Sequence, residues 1–124
     1  MLFRSVGTGS SGTEASDMTA DFYRYDPVAD SWTKKANFAG GARSQAVGFS
    51  VSGKGFISTG TTSLGQSAAD CWQYDPGSDS WAKKADFPGG ARTGAFSWSG
   101  TSQGYMGLGT GDNGPVFDLW AFQP

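Results

Sequence analysis

Few side chains in this 124-residue sequence are equipped for chemistry. It has no histidine, one cysteine (Cys71) and one glutamate (Glu14). Without imidazole the commonest general base is missing, and so are the Ser-His-Asp arrangement and most zinc and copper sites. A lone cysteine allows no internal disulfide. The remaining candidates all recur along the chain. Arg43 and Arg92 could present guanidinium groups to an acidic ligand, or serve structure by bonding either to backbone carbonyls or to a repeated aspartate of a neighbouring unit; the recurrence favours the structural role. Asp21, Asp70 and Asp118 could line a cation site. One carboxylate per repeat scatters them too widely for calcium, which gathers about six to eight oxygens, so hydrogen bonds at turns or strand starts suit them better. Asp112-Asn113-Gly114 reads as a turn and is too short for a metal loop. Trp32, Trp72, Trp81, Trp98 and Trp120 could stack on sugar rings, but four of them occupy repeated slots and Trp98 stands where Phe49 stands, which makes them core candidates. Cys71 shares a slot with Phe22 and Leu119 and is expected to be a buried, inert thiol. No catalytic, cofactor-binding or metal-binding residue is expected.

The elements that position these residues follow from one repetition. Ser31–Arg43, SWTKKANFAGGAR, returns as SWAKKADFPGGAR, ending at Arg92. Trp32 and Trp81, Gly40 and Gly89, Gly41 and Gly90, Arg43 and Arg92, and the triplets starting at Tyr25 and Tyr74 all stand 49 residues apart. Asp26 and Asp75 belong to those Tyr-Asp-Pro triplets. A constant shift over so many positions is duplication of one structural unit, and a period near 50 residues rich in Gly and aromatics suits a propeller-type β array. The spacing predicts strands at Leu2–Val6, Asp21–Tyr25, Ser31–Lys35, Ala42–Val51 and Phe56–Thr59, then again at Asp70–Tyr74, Ser80–Lys84, Ala91–Ser99 and Gly104–Leu108. Asp118–Phe122 gives a third copy of the aromatic strand. A hairpin turn is expected at Ser52–Gly55, and loops at Gly7–Ala20, Thr61–Ala68 and Gly111–Pro115. Along Ala42–Val51 one face carries Ser44, Ala46, Gly48 and Ser50, all small, which suits crowding near an axis.

Composition supports an all-β reading. The chain has 20 glycines and 15% aromatic residues, which weaken helices and favour pleated sheets. Regularly spaced aromatics oppose disorder. The net charge is −2 with no clustered basic face, so nucleic acid is not an expected partner. No apolar run approaches the ~20 residues that span a bilayer, and Met1-Leu2-Phe3-Arg4 runs into Ser and Gly with no apolar leader segment.

The triplets at Tyr25 and Tyr74, the following Trp32 and Trp81, the Gly-Gly-Ala-Arg runs ending at Arg43 and Arg92, and the strands opening Gly55-Phe56 and Gly104-Tyr105 resemble the bacterial form of the kelch repeat. The resemblance covers nearly the whole chain, with one variation: the family's usual Gly-Gly after the second strand is Gly60-Thr61 and Gly109-Thr110. It implies four-stranded antiparallel β-propeller blades, about two and a half to three of them. They divide into a partial blade over 1–41, a complete blade over 42–84 and a partial blade over 91–124, in a single partial propeller over 1–124. It also implies a secreted or cell-surface setting. Rings of this kind need about four or more blades. Three completions are open: a longer propeller, a head-to-tail ring of identical chains, or an arc docked on another protein.

The expected function is therefore a non-enzymatic module for protein or glycan binding, or for structural assembly, with copies of itself among its possible partners. Loops that differ between repeats are the expected contact surface, with Ser63, Gln66, Asp112 and Asn113 as candidate ligand contacts. The alternative is part of a propeller enzyme acting on carbohydrate, of the sialic-acid isomerising type, since the fold also hosts enzymes.

Overall fold

The computed structural model describes residues 2–4 and 18–124. Most of the Gly7–Ala20 loop, and Glu14 with it, lies outside them. Among the described residues there are fifteen strands and no helix, and every strand pairing is antiparallel.

The first sheet holds β1 (Leu2–Arg4), β2 (Phe22–Asp26) and β3 (Ser31–Lys35) in that order. Next come two residues of β4 (Arg43–Ser44). A four-stranded meander follows: β5 (Val47–Val51), β6 (Lys54–Ser58), β8 (Cys71–Asp75) and β9 (Ser80–Lys84), with the short β7 (Thr61–Thr62) inserted in sequence between β6 and β8. The pattern restarts with β10 (Arg92–Thr93), β11 (Phe96–Ser99), β12 (Gly104–Gly107), β13 (Thr110–Gly111), β14 (Gly114–Pro115) and β15 (Leu119–Phe122). Of these, β11, β12 and β15 form the third large sheet.

Two expected long strands are each broken in two. Ala42–Val51 divides at Gln45, whose φ is 55°, and Ala91–Ser99 divides at Gly94, whose φ is 62°. A left-handed residue cannot continue a pleated strand, so the chain turns there. The short leading pieces then leave the main sheets and build a separate belt. β4 pairs with β7, and Thr61 bridges Ser67. Ala68 bridges Arg92, β10 pairs with β13, and β13 pairs with β14. Parts of the expected loops at Thr61–Ala68 and Gly111–Pro115 are therefore paired strand. The hairpin after Val51 turns on Ser52 and Gly53, at φ 51° and 77°, the left-handed pair of a type I′ turn. Lys54 and Gly55 already belong to the next strand.

The large sheets meet through their aromatic faces. Phe22 of the first sheet packs edge-on against Tyr74 and Trp81 of the second, with ring centres 4.7 and 5.0 Å apart. Phe49 and Phe56 of the second sheet stack on each other at 5.3 Å and meet Phe122 of the third at 5.6 and 4.8 Å. The continuous core is Val47, Phe49, Val51, Phe56, Cys71, Phe87 and Met106; each large apolar side chain fully buried there contributes about 1.5–3 kcal/mol. The small face of β5 lies beside β11. The Ser99 Oγ accepts from the Ser50 amide at 2.8 Å, and the Ser97 hydroxyl donates to the Gly48 carbonyl at 2.9 Å.

Candidate functional site

Arg43 and Arg92 are the most deeply buried charges described, at 1% and 0% exposure. Nη1 of Arg43 donates to the Thr59 carbonyl at 3.0 Å and to Asp70 Oδ1 at 2.6 Å. Its Nη2 donates to the Gly40 carbonyl at 2.6 Å and to Asp70 Oδ2 at 2.9 Å. Arg92 repeats the pattern on the carbonyls of Leu108 and Gly89 and on both oxygens of Asp118. Each guanidinium also lies over a phenyl ring, Phe38 at 4.8 Å and Phe87 at 4.7 Å, a cation–π contact. The planar fork of arginine is what lets one side chain hold a carboxylate and two carbonyls together. The expected bonds to backbone carbonyls are present, and each aspartate belongs to the same unit as its arginine rather than to a neighbouring one.

The geometry explains the paired glycines. A Cβ on Gly40 would lie 2.5 Å from the Phe38 ring and 2.8 Å from Nη2 of Arg43, and the same clash recurs at Gly89. Gly41 and Gly90 meet nothing but hold φ of 83° and 88°. One glycine makes room for the arginine and the other turns the chain.

Trp72 Nε1 donates to Asp70 Oδ2 at 2.7 Å, and Trp120 Nε1 to Asp118 Oδ2 at 2.8 Å. Sequence reasoning assigned these tryptophans to the core and missed this role. The signal was the Asp-x-Trp spacing, which puts both side chains on one face of a strand. Burial raises the Asp70 pKa, but Arg43 and the Trp72 indole outweigh it and hold the carboxyl below its usual range. Arg92 lowers Asp118 most, and that carboxyl lies well below the usual range. Asp21 pairs instead with Lys34, at 2.9 Å.

A second repeated device joins the aromatic strand to the next. The Tyr25 hydroxyl donates to Asp30 Oδ1 and the Tyr74 hydroxyl to Asp79 Oδ1, both at 2.7 Å. Asp26 Oδ1 accepts from the amides of Val28 and Ala29, and Asp75 Oδ1 from that of Gly77. Asp79 and Trp81 then reach the preceding unit: Asp79 Oδ1 accepts from the Ala36 amide and Trp81 Nε1 donates to the Ala36 carbonyl, both at 3.0 Å.

Burial divides the tryptophans. Trp81 is packed between sheets, while Trp32, Trp98 and Trp120 are 49%, 42% and 39% exposed. The expectation that these three sit in the core is corrected, because Trp32 and Trp98 lie on outer faces with no further sheet against them among the described residues. Cys71 is buried, as its slot implies, and burial pushes its thiol up to about 11. Ser63, Gln66, Asp112 and Asn113 are all exposed, at the tips of the two hairpins of the belt. The belt's hydrogen bonds run from the Gly60 amide to the Arg92 carbonyl and from the Arg92 amide to the Ala68 carbonyl. They set the two tips on successive hairpins. No group of three or more metal-ligating side chains occurs among the described residues, and no helix there is long and apolar enough to cross a membrane.

No protein-family model matches this chain, and no curated protein matches it.

Proposed function

We propose that this chain is a non-enzymatic kelch-type β-propeller module whose role is binding and assembly. In this reading the first sheet, the four-stranded sheet and the third sheet are successive blades, and the belt carries their connecting loops. One observation carries the reading. Phe96 and Leu119 on the third sheet are each 61% exposed, and Trp98 is 42% exposed. The residues standing at the equivalent places on the second sheet, Val47, Cys71 and Phe49, are buried against the third. The same face is thus covered once and bare once. A contiguous apolar face of this kind marks an interaction surface, and the cover it fits is another sheet of the same design, from a longer propeller or from a second copy joined head to tail.

Sedimentation equilibrium of the chain and of a Phe96→Ser/Trp98→Ser variant tests this. The unsubstituted chain is expected to self-associate as concentration rises, and the variant to stay monomeric with its β spectrum intact. A chain that stays monomeric from micromolar to millimolar concentration overturns assembly through that face.

A further inference from the structure

The tips of the two belt hairpins differ in one residue that matters chemically. Leu64-Gly65 at the first tip stands 49 residues before Asn113-Gly114 at the second. Asn113 is exposed, and no hydrogen bond holds its side-chain amide among the described residues. With Asp112 it forms a loop closed by the pairing of Gly111 with Gly114. Gly114 has a φ of 107°, and open space lies where a Cβ would stand, so no side chain shields its backbone nitrogen. The chain's other asparagine, Asn37, is also exposed. The residue after it is Phe38, which is 3% exposed and whose amide is tied to the Ala20 carbonyl at 2.8 Å. The same carboxamide thus precedes a bare backbone nitrogen at one place and a buried, bonded one at the other.

We infer that Asn113 is a self-modifying site, which converts to aspartyl and isoaspartyl forms and so changes the charge and backbone length of this hairpin tip as the chain ages. The Gly114 nitrogen attacks Cγ of Asn113. The new N–Cγ bond closes a succinimide ring, the Cγ–Nδ2 bond breaks, and Nδ2 leaves as ammonia with the Gly114 amide proton. Water then adds to either ring carbonyl and returns a proton to the nitrogen. Breaking the N–Cγ bond gives aspartate. Breaking the nitrogen's bond to the main-chain carbonyl gives isoaspartate, with the chain now running through Cγ. Nothing is oxidised or reduced, and water is the only co-reactant. The attack needs the Gly111–Gly114 pair to open. β13 and β14 are short, at Thr110–Gly111 and Gly114–Pro115, and exposed tips of this kind open at little cost in free energy. Either product sets a new carboxylate beside Asp112. Isoaspartate also adds a carbon to the main chain. A tight loop of fixed register cannot absorb it, so the Gly111–Gly114 and Thr110–Pro115 pairs part. The Arg92–Asp118 clamp lies outside the tip and is untouched. The inference is independent of what covers the third sheet.

The test keeps the whole chain folded at neutral pH and samples it over time, beside an Asn113→Gln variant. Peptide mapping by mass spectrometry should show loss of Asn113 to the acid forms while Asn37 stays intact, with ammonia released in equal amount. An isoaspartyl methyltransferase supplied with labelled S-adenosylmethionine should label the aged parent chain and leave the aged variant blank. The isoaspartyl fraction, isolated by anion exchange, should lose the amide signature of the β13–β14 pairing and keep the shifts of Arg92 and Asp118. Asn113 as persistent as Asn37, equal label in the aged parent and variant, or an isoaspartyl fraction whose hairpin amides match those of fresh chain overturns the inference.

Discussion

Removing the Asp70 carboxylate is the most informative single perturbation, because it leaves a cation in a place with 1% exposure. In Asp70→Ala, Arg43 keeps the carbonyls of Thr59 and Gly40 but loses both charge-assisted bonds, and Trp72 loses its acceptor. Deleting one partner of a buried ion pair costs about 3–5 kcal/mol; the two surviving carbonyl acceptors place this case near the lower end. Arg43→Met is different. Asp70 retains 21% side-chain exposure and can hydrate, while the carbonyls of Thr59 and Gly40 lose a donor, at about 1–3 kcal/mol for each left unsatisfied. The double substitution Arg43→Met/Asp70→Leu removes both charges, so it should cost less than the sum of the two singles. Urea unfolding with an unchanged slope gives each value. A loss of about 3 kcal/mol corresponds to a fall in melting temperature of about 12 °C for a domain of this size. A cost near 1 kcal/mol or less for Asp70→Ala, the range of an exposed surface pair, together with additive singles, would refute the argument that the clamp is buried and coupled.

Other consequences are equally concrete. Asp70 and Asp118 have folded pKa values below the ordinary carboxylate value, so their contribution is complete above about pH 4–5 and is lost as pH falls below it toward the folded values. Acid titration followed by tryptophan fluorescence should show a shallower decline for Asp118→Asn than for the parent chain. Gly40→Ala should destabilise by more than Gly41→Ala in thermal melts, since the first drives a methyl into Phe38 and Arg43 and the second only strains φ by about 1–2 kcal/mol. Trp81→Ala should cost about 3–5 kcal/mol and Trp32→Ala much less, because one indole is wedged between sheets and the other is half exposed. The Cys71 thiol, at about 11 and buried, should alkylate at neutral pH only at the rate of unfolding.

The all-β architecture and most strands were legible in the sequence because aromatic alternation and turn residues set them locally: Ser31–Lys35 and Ser80–Lys84 carry the predicted bounds. The breaks at Gln45 and Gly94 were not, since nothing local forces φ positive at a glutamine; the belt that captures Arg43–Ser44 and Arg92–Thr93 imposes it. The site was half legible. The 49-residue shift marked Arg43 and Arg92 as a pair, but which aspartate each arginine would hold depends on a contact spanning 27 and 26 residues. Trp98 illustrates the opposite limit: the slot that Phe49 fills as core becomes surface where no further sheet lies on it.

Amide hydrogen exchange across a concentration series tests most directly whether each sheet depends on a neighbour for its stability. The second sheet, covered on both faces, should exchange slowest at every concentration. The amides of β11, β12 and β15 should exchange faster in dilute solution and gain protection as the chain associates. Equal protection of the second and third sheets in dilute, monomeric protein would contradict the account, because the bare face of Phe96, Trp98 and Leu119 would then carry no cost.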